Sequence, residues 1–556
     1  MKKTIVIESL NKNLLMGFNS NSLSISDIKG SGLKFSSSAE QKIIVRTSDA
    51  VFEPHLLSKV KKNTVSIDEI KFSLSDSKKI FNAELKIKSS PKGIAFSAKI
   101  NSKIPVWLFE WKLSGLEFDE VIVPALGGQS INNKMPEGSS LSYKYPFWWN
   151  AQFVVGTKKN GGLILRTEDE KSDLKLLRVG KENGKFFLVL GFESKAPLHK
   201  KESNAAWYLD AFNGSWKNAV DLHRTWMEKT FNLVDYKKHK HFPVWADDIK
   251  FVLELWGARK DNELPMHSFK QMIERIKNWK KLYNPKNTLL YLPGFAQHGI
   301  DSNAPNYNPS KQCGGEKDFK LLVDTAHKLG YKVMIHTNVL AMTFTHPLYD
   351  RFKKFQVVDV FDRPQGWAMD MDGDWLTEPF FAYMNPGYKE WGNLMSKILG
   401  DLISKFKIDG VFLDQTLLAF NESKGPDFVK GMREHIQRLQ NDFPEILFAG
   451  EGLHEQNVCA LPMAQIHGID SIAEVHGMEG QSTWRKVHPV SSYLFGKYTK
   501  YTAHLLTKHP SHPMFKLQED SYKKLRVIPA LCLYNNFQKM NLPEVKKMIE
   551  RSKKLR

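Results

Sequence analysis

Two acids stand at the ends of apolar runs in the second half of the chain, and their setting fits the cleavage of a glycosidic bond. In Asp409-Gly410-Val411-Phe412-Leu413-Asp414-Gln415 three apolar residues carry a buried strand that ends on a carboxylate. An acid cannot stay unpaired in such an interior, so Asp414 is expected to emerge at an open end. Asp409, at the opposite end, is expected to cap or pair structurally. Glu451 closes the next run, Ile446-Leu447-Phe448-Ala449-Gly450-Glu451-Gly452, where flanking glycines leave room for a ligand and permit unusual backbone angles. The separation of 37 positions between the acids spans one strand–helix unit, so the two strands are expected to be neighbours and the acids to face each other. One carboxylate can then attack an anomeric carbon while the other, with a pKa raised by burial beside the first, protonates the leaving oxygen. The competing reading makes both acids structural, or ligands of a metal.

Positioning such a pair requires parallel strands whose ends converge. After Phe242-Pro243, short apolar runs alternate with stretches of helical period. Strands are expected at Phe251–Trp256, Thr288–Leu292, Val333–Ile335, Val411–Leu413 and Ile446–Ala449. Helices are expected at His267–Leu282, Lys317–Leu329 (capped by Gly330), Lys389–Phe406, Asp427–Asp442, Glu455–Met463 and Leu542–Leu555. Gln465–Ile466, Ile472–Val475 and Val527–Leu533 are candidates for the remaining strands. This order favours a (β/α)8 barrel of the TIM type over an open doubly wound sheet, since no G-x-G-x-x-G opens a helix. Residues up to about 235 read instead as short β-branched runs at hairpin spacing, a large β-sandwich. The expected division is therefore multidomain: a β-sandwich over 1–240 and a barrel over 241–556. The aromatics Trp107, Trp111, Phe147, Trp148, Trp149, Trp207 and Trp216 are expected in the sandwich as core or domain interface, with a sugar-stacking platform as the alternative.

In a barrel the site forms at the C-terminal strand ends. The polar and aromatic residues there give the expected substrate contacts: Trp256, Tyr291, His336, Asn338, Gln415 and His476, with Glu254, Glu474, His454 and Trp484 nearby in sequence. The long connection between the third and fourth strands contains Asp370, Asp372 and Asp374 between Trp367 and Trp375. It is read as a loop folded over the mouth, in which an Asp bonds sugar hydroxyls and a Trp stacks on the ring, with a plain solvated loop as the alternative. A calcium loop would need a downstream bidentate Glu that is missing. Neither a metal nor a cofactor is expected, because there is no H-E-x-x-H and no tight His/Asp cluster.

The strand Asp409–Asp414 resembles the nucleophile strand of the α-amylase, α-galactosidase and α-glucosidase barrels. The whole arrangement resembles glycoside hydrolase families 101 and 129, the endo-α-N-acetylgalactosaminidases and their relatives. Those proteins have a large sandwich (a supersandwich) before the barrel, an Asp after the fourth strand and a Glu after the fifth. Tyr145-Pro146-Phe147-Trp148-Trp149 also resembles their late sandwich. The resemblance implies a retaining α-glycoside hydrolase with Asp414 as nucleophile and Glu451 as acid/base, acting on a galactose- or N-acetylgalactosamine-like sugar. The reading departs from the family pattern in two ways: no C-terminal β-domain is expected after the barrel, and the last barrel strands are poorly marked. A non-catalytic carbohydrate-binding protein on the same scaffold is the alternative from another class, and an inverting hydrolase or a transglycosylase the alternative within it.

Composition narrows the partners. The 556 residues carry a formal charge of +20, but the lysines are dispersed, and the one dense run, 237–241, falls at the expected domain junction. A basic face with interleaved aromatics is missing, so nucleic acid is not an expected partner. The expected partner is an oligosaccharide or glycoside, and an anionic one would be drawn in by the net field. No run approaches the roughly 18 apolar residues of a membrane span. Without a signal-like start, and with three scattered cysteines, the expected location is cytoplasmic and reducing.

Overall fold

Period-two burial builds the first unit. Phe81–Ser90 buries Phe81, Ala83, Leu85 and Ile87 while Asn82, Glu84 and Lys88 stay exposed, as a strand with one covered face must. Among the described residues, twenty strands form two ten-stranded antiparallel sheets. Their aromatic residues meet: Trp111 of one sheet and Trp207 of the other lie 5.0 Å apart, and Phe96 stacks on Trp207 at 5.5 Å. Trp111, Trp149 and Trp207 are core residues.

The computed structural model describes residues 4–19, 22–48, 53–66, 68–198, 200–259, 265–369, 376–468, 484–504, 513–533 and 539–555. Two compact units result, Met1–Asn232 with Glu479–Leu494, and Leu233–Met478 with Phe495–Arg556. Two features of the first unit differ from the sequence reading. Its run of strands up to Asn213 is followed by a helix, Trp216–Phe231, capped at Ser215 and closed by Asn232 in the left-handed region, so Trp216 opens a helix. The unit also gains a late strand, Arg485–Val487, which pairs with Gln129–Asn132 and carries Arg485 to Gln129 Oε1 at 2.6 Å. Nothing in the local pattern of three residues announces a partner more than 350 positions away.

The second unit is an eight-stranded parallel sheet with β1 Phe251–Leu255, β2 Thr288–Leu292, β3 Lys332–Asn338, β4 Gly410–Asp414, β5 Leu447–Gly450, β6 Met463–Ile466, β7 Lys500–Ala503 and β8 Ala530–Leu533. The order runs β7-β6-β5-β4-β3-β2-β1-β8, and a parallel bridge between Thr502 and Ile528 brings its two edges together. Helices α1 Phe269–Lys280, α2 Gly315–Leu329, α3 Lys389–Phe406 and α4 Phe428–Asp442 follow the first four strands. Their ends obey capping chemistry. Ser268 and Gln271 form a capping box on α1, Gly330 ends α2 at φ +98°, and Asp427 accepts from Lys430 N–H on α4.

Three sequence expectations need correction here. No helix spans 455–463; a short 3₁₀ turn, Val458–Ala460, leads directly into β6. The strand Lys500–Ala503 went unrecognised, and Ile472–Val475 lies outside the described residues. The connection between β3 and β4 contains a small antiparallel sheet of Ala341–Thr343, Glu378–Tyr383 and Gly366–Met369. Among the described residues no helix is long and apolar enough to cross a membrane, and Cys313, Cys459 and Cys532 are free thiols.

Candidate active site

Strand alternation decides which side chains enter the barrel. Phe251 packs outward on Trp279 of α1 at 4.9 Å, so Glu254, three residues on, faces the interior. Thr288 accepts outward from the Trp279 indole, which turns Tyr291 inward. Phe412 lies against Tyr291 and stacks on His336, and the β3–β4 register sets Asn338 beside Asp414. At the far end of β4, Asp409 accepts from Lys332 Nζ at 2.6 Å, pairs with His327 at 2.8 Å and is purely structural.

Asp414 lies at the mouth, and Asn338 Nδ2 donates to its Oδ2 at 3.2 Å. The same amide donates to Gln415 Oε1 at 3.0 Å, while Asn338 Oδ1 accepts from Leu340 and Ala341 N–H. Every hydrogen-bonding group of the Asn338 amide is thus used within the protein, and it orients Asp414 and Gln415. Gln415 holds φ +64°, a conformation rare outside glycine. In it the Gln415 N–H reaches Glu451 Oε2 at 3.0 Å, and its side chain donates to Tyr383 Oη at 3.3 Å.

Glu451 follows β5, with its own N–H on Leu413 O at 3.0 Å. Its Oε1 faces His467 Nε2 at 3.2 Å and His504 Nε2 at 3.6 Å. The expected free space beside Gly450 is filled: a Cβ there would come within 2.6 Å of Thr416 Oγ1 and 2.9 Å of Leu461. Gly452, at φ +74°, needs its glycine for the backbone turn.

The carboxyls of Asp414 and Glu451 are within hydrogen-bonding reach. Burial, then the charges of Glu451 and Asp301, push Asp414 well above the usual carboxylate range. Burial acts the same way on Glu451, but His467 and His504 outweigh it and hold that acid below its ordinary value. The sequence reading expects the raised pKa on Glu451; the two histidines reverse it. Two such close carboxyls titrate as one coupled system.

His336 is held at both nitrogens, by Tyr291 Oη on Nδ1 at 2.7 Å and Asp301 Oδ1 on Nε2 at 3.3 Å. Trp256 is buried at the end of β1, and its carbonyl contacts His267 Nδ1 at 2.9 Å. The structure therefore gathers Asp414, Glu451, Gln415, Asn338, His336 and Tyr291 at one mouth. Trp256 packs beneath it. Asp370, Asp372 and His476 lie outside the described residues. Sequence reasoning missed Asp301, Tyr383, His467 and His504, which sit in connections without a periodic pattern.

The sequence shows no tight His/Asp cluster, whereas among the described residues the fold makes two. Glu451, His467 and His504 form one and Asp301, His336 and Asp414 the other, each with potential ligand atoms within 4.8 Å of one another.

A parallel barrel with its polar cluster at the C-terminal strand ends has the architecture of a TIM barrel. Among solved structures, the chain is similar to the α-N-acetylgalactosaminidase NagBb of Bifidobacterium bifidum. In a complex titled Gal-NHAc-DNJ, the match has a TM-score of 0.74 and 10% identity, covering 99% of this chain and 92% of that one. In the GalNAc complex the values are 0.70 and 12%, with the same coverage. No curated protein matches in sequence. The model of the family described as Domain of unknown function (DUF6259) matches residues 203–501, and the chain belongs to that family.

Proposed function

We propose that this protein is a retaining α-glycoside hydrolase with Asp414 as nucleophile and Glu451 as acid/base, acting on a galactose- or N-acetylgalactosamine-like sugar. The observation that carries the reading is the pair of carboxyls on adjacent parallel strand ends, with the Gln415 N–H, next to Asp414, donating to Glu451 Oε2 at 3.0 Å. Inverting enzymes hold their acids roughly 6.5–9.5 Å apart to admit a water, whereas retaining pairs stand about 5–5.5 Å apart. Acids on neighbouring strands joined through one backbone N–H suit the closer, retaining spacing. The choice of sugar is supported by the α-N-acetylgalactosaminidase named for the similar structure and by the family resemblance of the nucleophile strand. The first unit is read as a sandwich closed by the meeting of Trp111, Phe96 and Trp207.

Double displacement needs Asp414 as carboxylate and the proton on Glu451. Positive charge developing at the anomeric carbon favours the Asp414 carboxylate. Asp414 then bonds to the anomeric carbon as the C–O bond breaks and Glu451 protonates the departing oxygen. In the second half, Glu451 takes a proton from water, whose oxygen displaces Asp414. Asn338 and the Gln415 N–H hold the two acids in register.

The test is hydrolysis of a panel of aryl α- and β-glycosides by the wild type beside Asp414→Asn. Release from an α-galactoside or α-N-acetylgalactosaminide by the wild type only is the expected result. Equal rates for both proteins would overturn the assignment.

A further inference from the structure

Three neighbouring strand ends carry a donor set that the hydrolysis uses only in part. Glu451 is the first residue after β5, His467 the first after β6 and His504 the first after β7. The β6–β7 register pairs Ile466 with Ala503, which sets the two imidazoles together, ring centroids 4.4 Å apart. Both turn an Nε2 to the same oxygen: Glu451 Oε1 lies 3.2 Å from His467 and 3.6 Å from His504. The three potential ligand atoms all lie within 4.8 Å of one another. Two of the three backbones are tied down, since the Glu451 N–H donates to Leu413 O at 3.0 Å and Tyr522 Oη donates to His504 O at 2.6 Å.

We propose that Glu451, His467 and His504 form a site for a divalent ion of the zinc class, and that the bound ion inhibits hydrolysis; the inhibitory half rests on the glycosidase reading above. Ligands about 2.0–2.2 Å from a tetrahedral ion stand roughly 3.3–3.6 Å from one another. The spacing of Oε1 from the two nitrogens is close to that before any ion enters. Two imidazoles and one carboxylate suit zinc, cobalt, nickel or copper, whereas calcium and magnesium take oxygen donors. Glu451 Oε2 accepts the Gln415 N–H at 3.0 Å, an outer contact that leaves Oε1 turned to the histidines. The side chains of Glu451 and His467 are 16% and 18% exposed, which gives an ion a way in and room for a water as fourth ligand. The other close set, Asp301, His336 and Asp414, offers a single imidazole, and Tyr291 already holds its Nδ1. An ion on Oε1 takes the place of the proton that Glu451 must deliver, while Oε2 stays engaged by Gln415.

The test is calorimetric titration of Zn²⁺ into the full-length, tag-free chain after treatment with a chelator. One ion per chain is expected, with no competition from excess Ca²⁺ or Mg²⁺. His467→Gln and His504→Gln should each lower the affinity by more than the roughly 10–100-fold that loss of an outer contact brings. Failure of the wild type to bind Zn²⁺, or unchanged affinity in both variants, would overturn the site. If the variants do not fold, paramagnetic resonance of Cu²⁺ bound to the wild type decides: two coordinated imidazole nitrogens are expected, and one or none would contradict the assignment. These readouts need no substrate, so they stand apart from the glycosidase reading. Inhibition is then read on aryl α-glycosides, where saturating Zn²⁺ should lower kcat at least tenfold and a chelator should restore it. Full turnover with the site saturated would overturn the inhibitory role.

Discussion

Asp414 and Glu451 end adjacent parallel strands with their carboxyls in reach of each other, and the Gln415 N–H, between them in the chain, donates to Glu451 at 3.0 Å. A single residue in a left-handed conformation thus couples the end of β4 to the end of β5. Asn338, on β3, completes the frame by holding both Asp414 and Gln415.

Amide substitutions should separate the two acids by leaving group. Asp414→Asn is expected to abolish turnover of every glycoside while folding normally, since the amide keeps the size of the buried carboxyl. Glu451→Gln should lose about 10²–10⁴-fold on alkyl glycosides, whose leaving oxygen needs a proton. Its loss in the first step should be small for dinitrophenyl glycosides, whose leaving group needs none. Steady-state and burst kinetics on both substrate types check this, and equal losses on both would contradict the acid role.

Asn338→Leu tests the frame. The substitution leaves Asp414 without its donor and Gln415 without its tether, while the amide itself offers no spare group to a ligand. We expect kcat to fall and KM to change little, measured on the same aryl glycosides. A rise in KM alone would mark Asn338 as a substrate contact, the role its sequence position suggests.

That outcome bears on what the sequence reveals. Asp414 and Glu451 were legible because an acid ending an apolar run has few places to go. The first five barrel strands were legible because helices separate them. β6, β7 and β8 were harder: each is four residues long, and β6 follows β5 with no helix between. His467 and His504 come just after β6 and β7, so missing those strand ends meant missing the residues that reverse the expected pKa of Glu451. Arg485–Val487 was illegible for another reason, since its partner strand lies in the first unit.

Glu422 should make stability pH-dependent. Burial pushes its carboxyl up to about 8, against the hydrogen bonds from Val358 and Asn385. The folded protein therefore binds a proton that the unfolded chain releases at an ordinary carboxyl pKa, so stability falls as pH rises through that window toward 8. Glu422→Gln should flatten this slope in urea unfolding measured across the range. An identical slope in both proteins would count against a buried neutral acid.

His435 acts at the other end of the scale. It is buried in α4 without a hydrogen bond to either ring nitrogen among the described residues, and burial lowers its pKa to about 4. The unfolded chain takes up the proton first, so stability is lost as pH falls from about 6.5 toward 4. His435→Phe, if it packs, should reduce the acid loss seen in thermal melts, and an unchanged acid slope would refute the assignment.

The most direct test of the double-displacement account is the configuration of the first product. Proton NMR within the first minutes of hydrolysis of an aryl α-N-acetylgalactosaminide or α-galactoside reads it before mutarotation. The account predicts that the α-anomer is released first. Initial release of the β-anomer would show a single displacement by water and contradict the assignment of Asp414 as nucleophile.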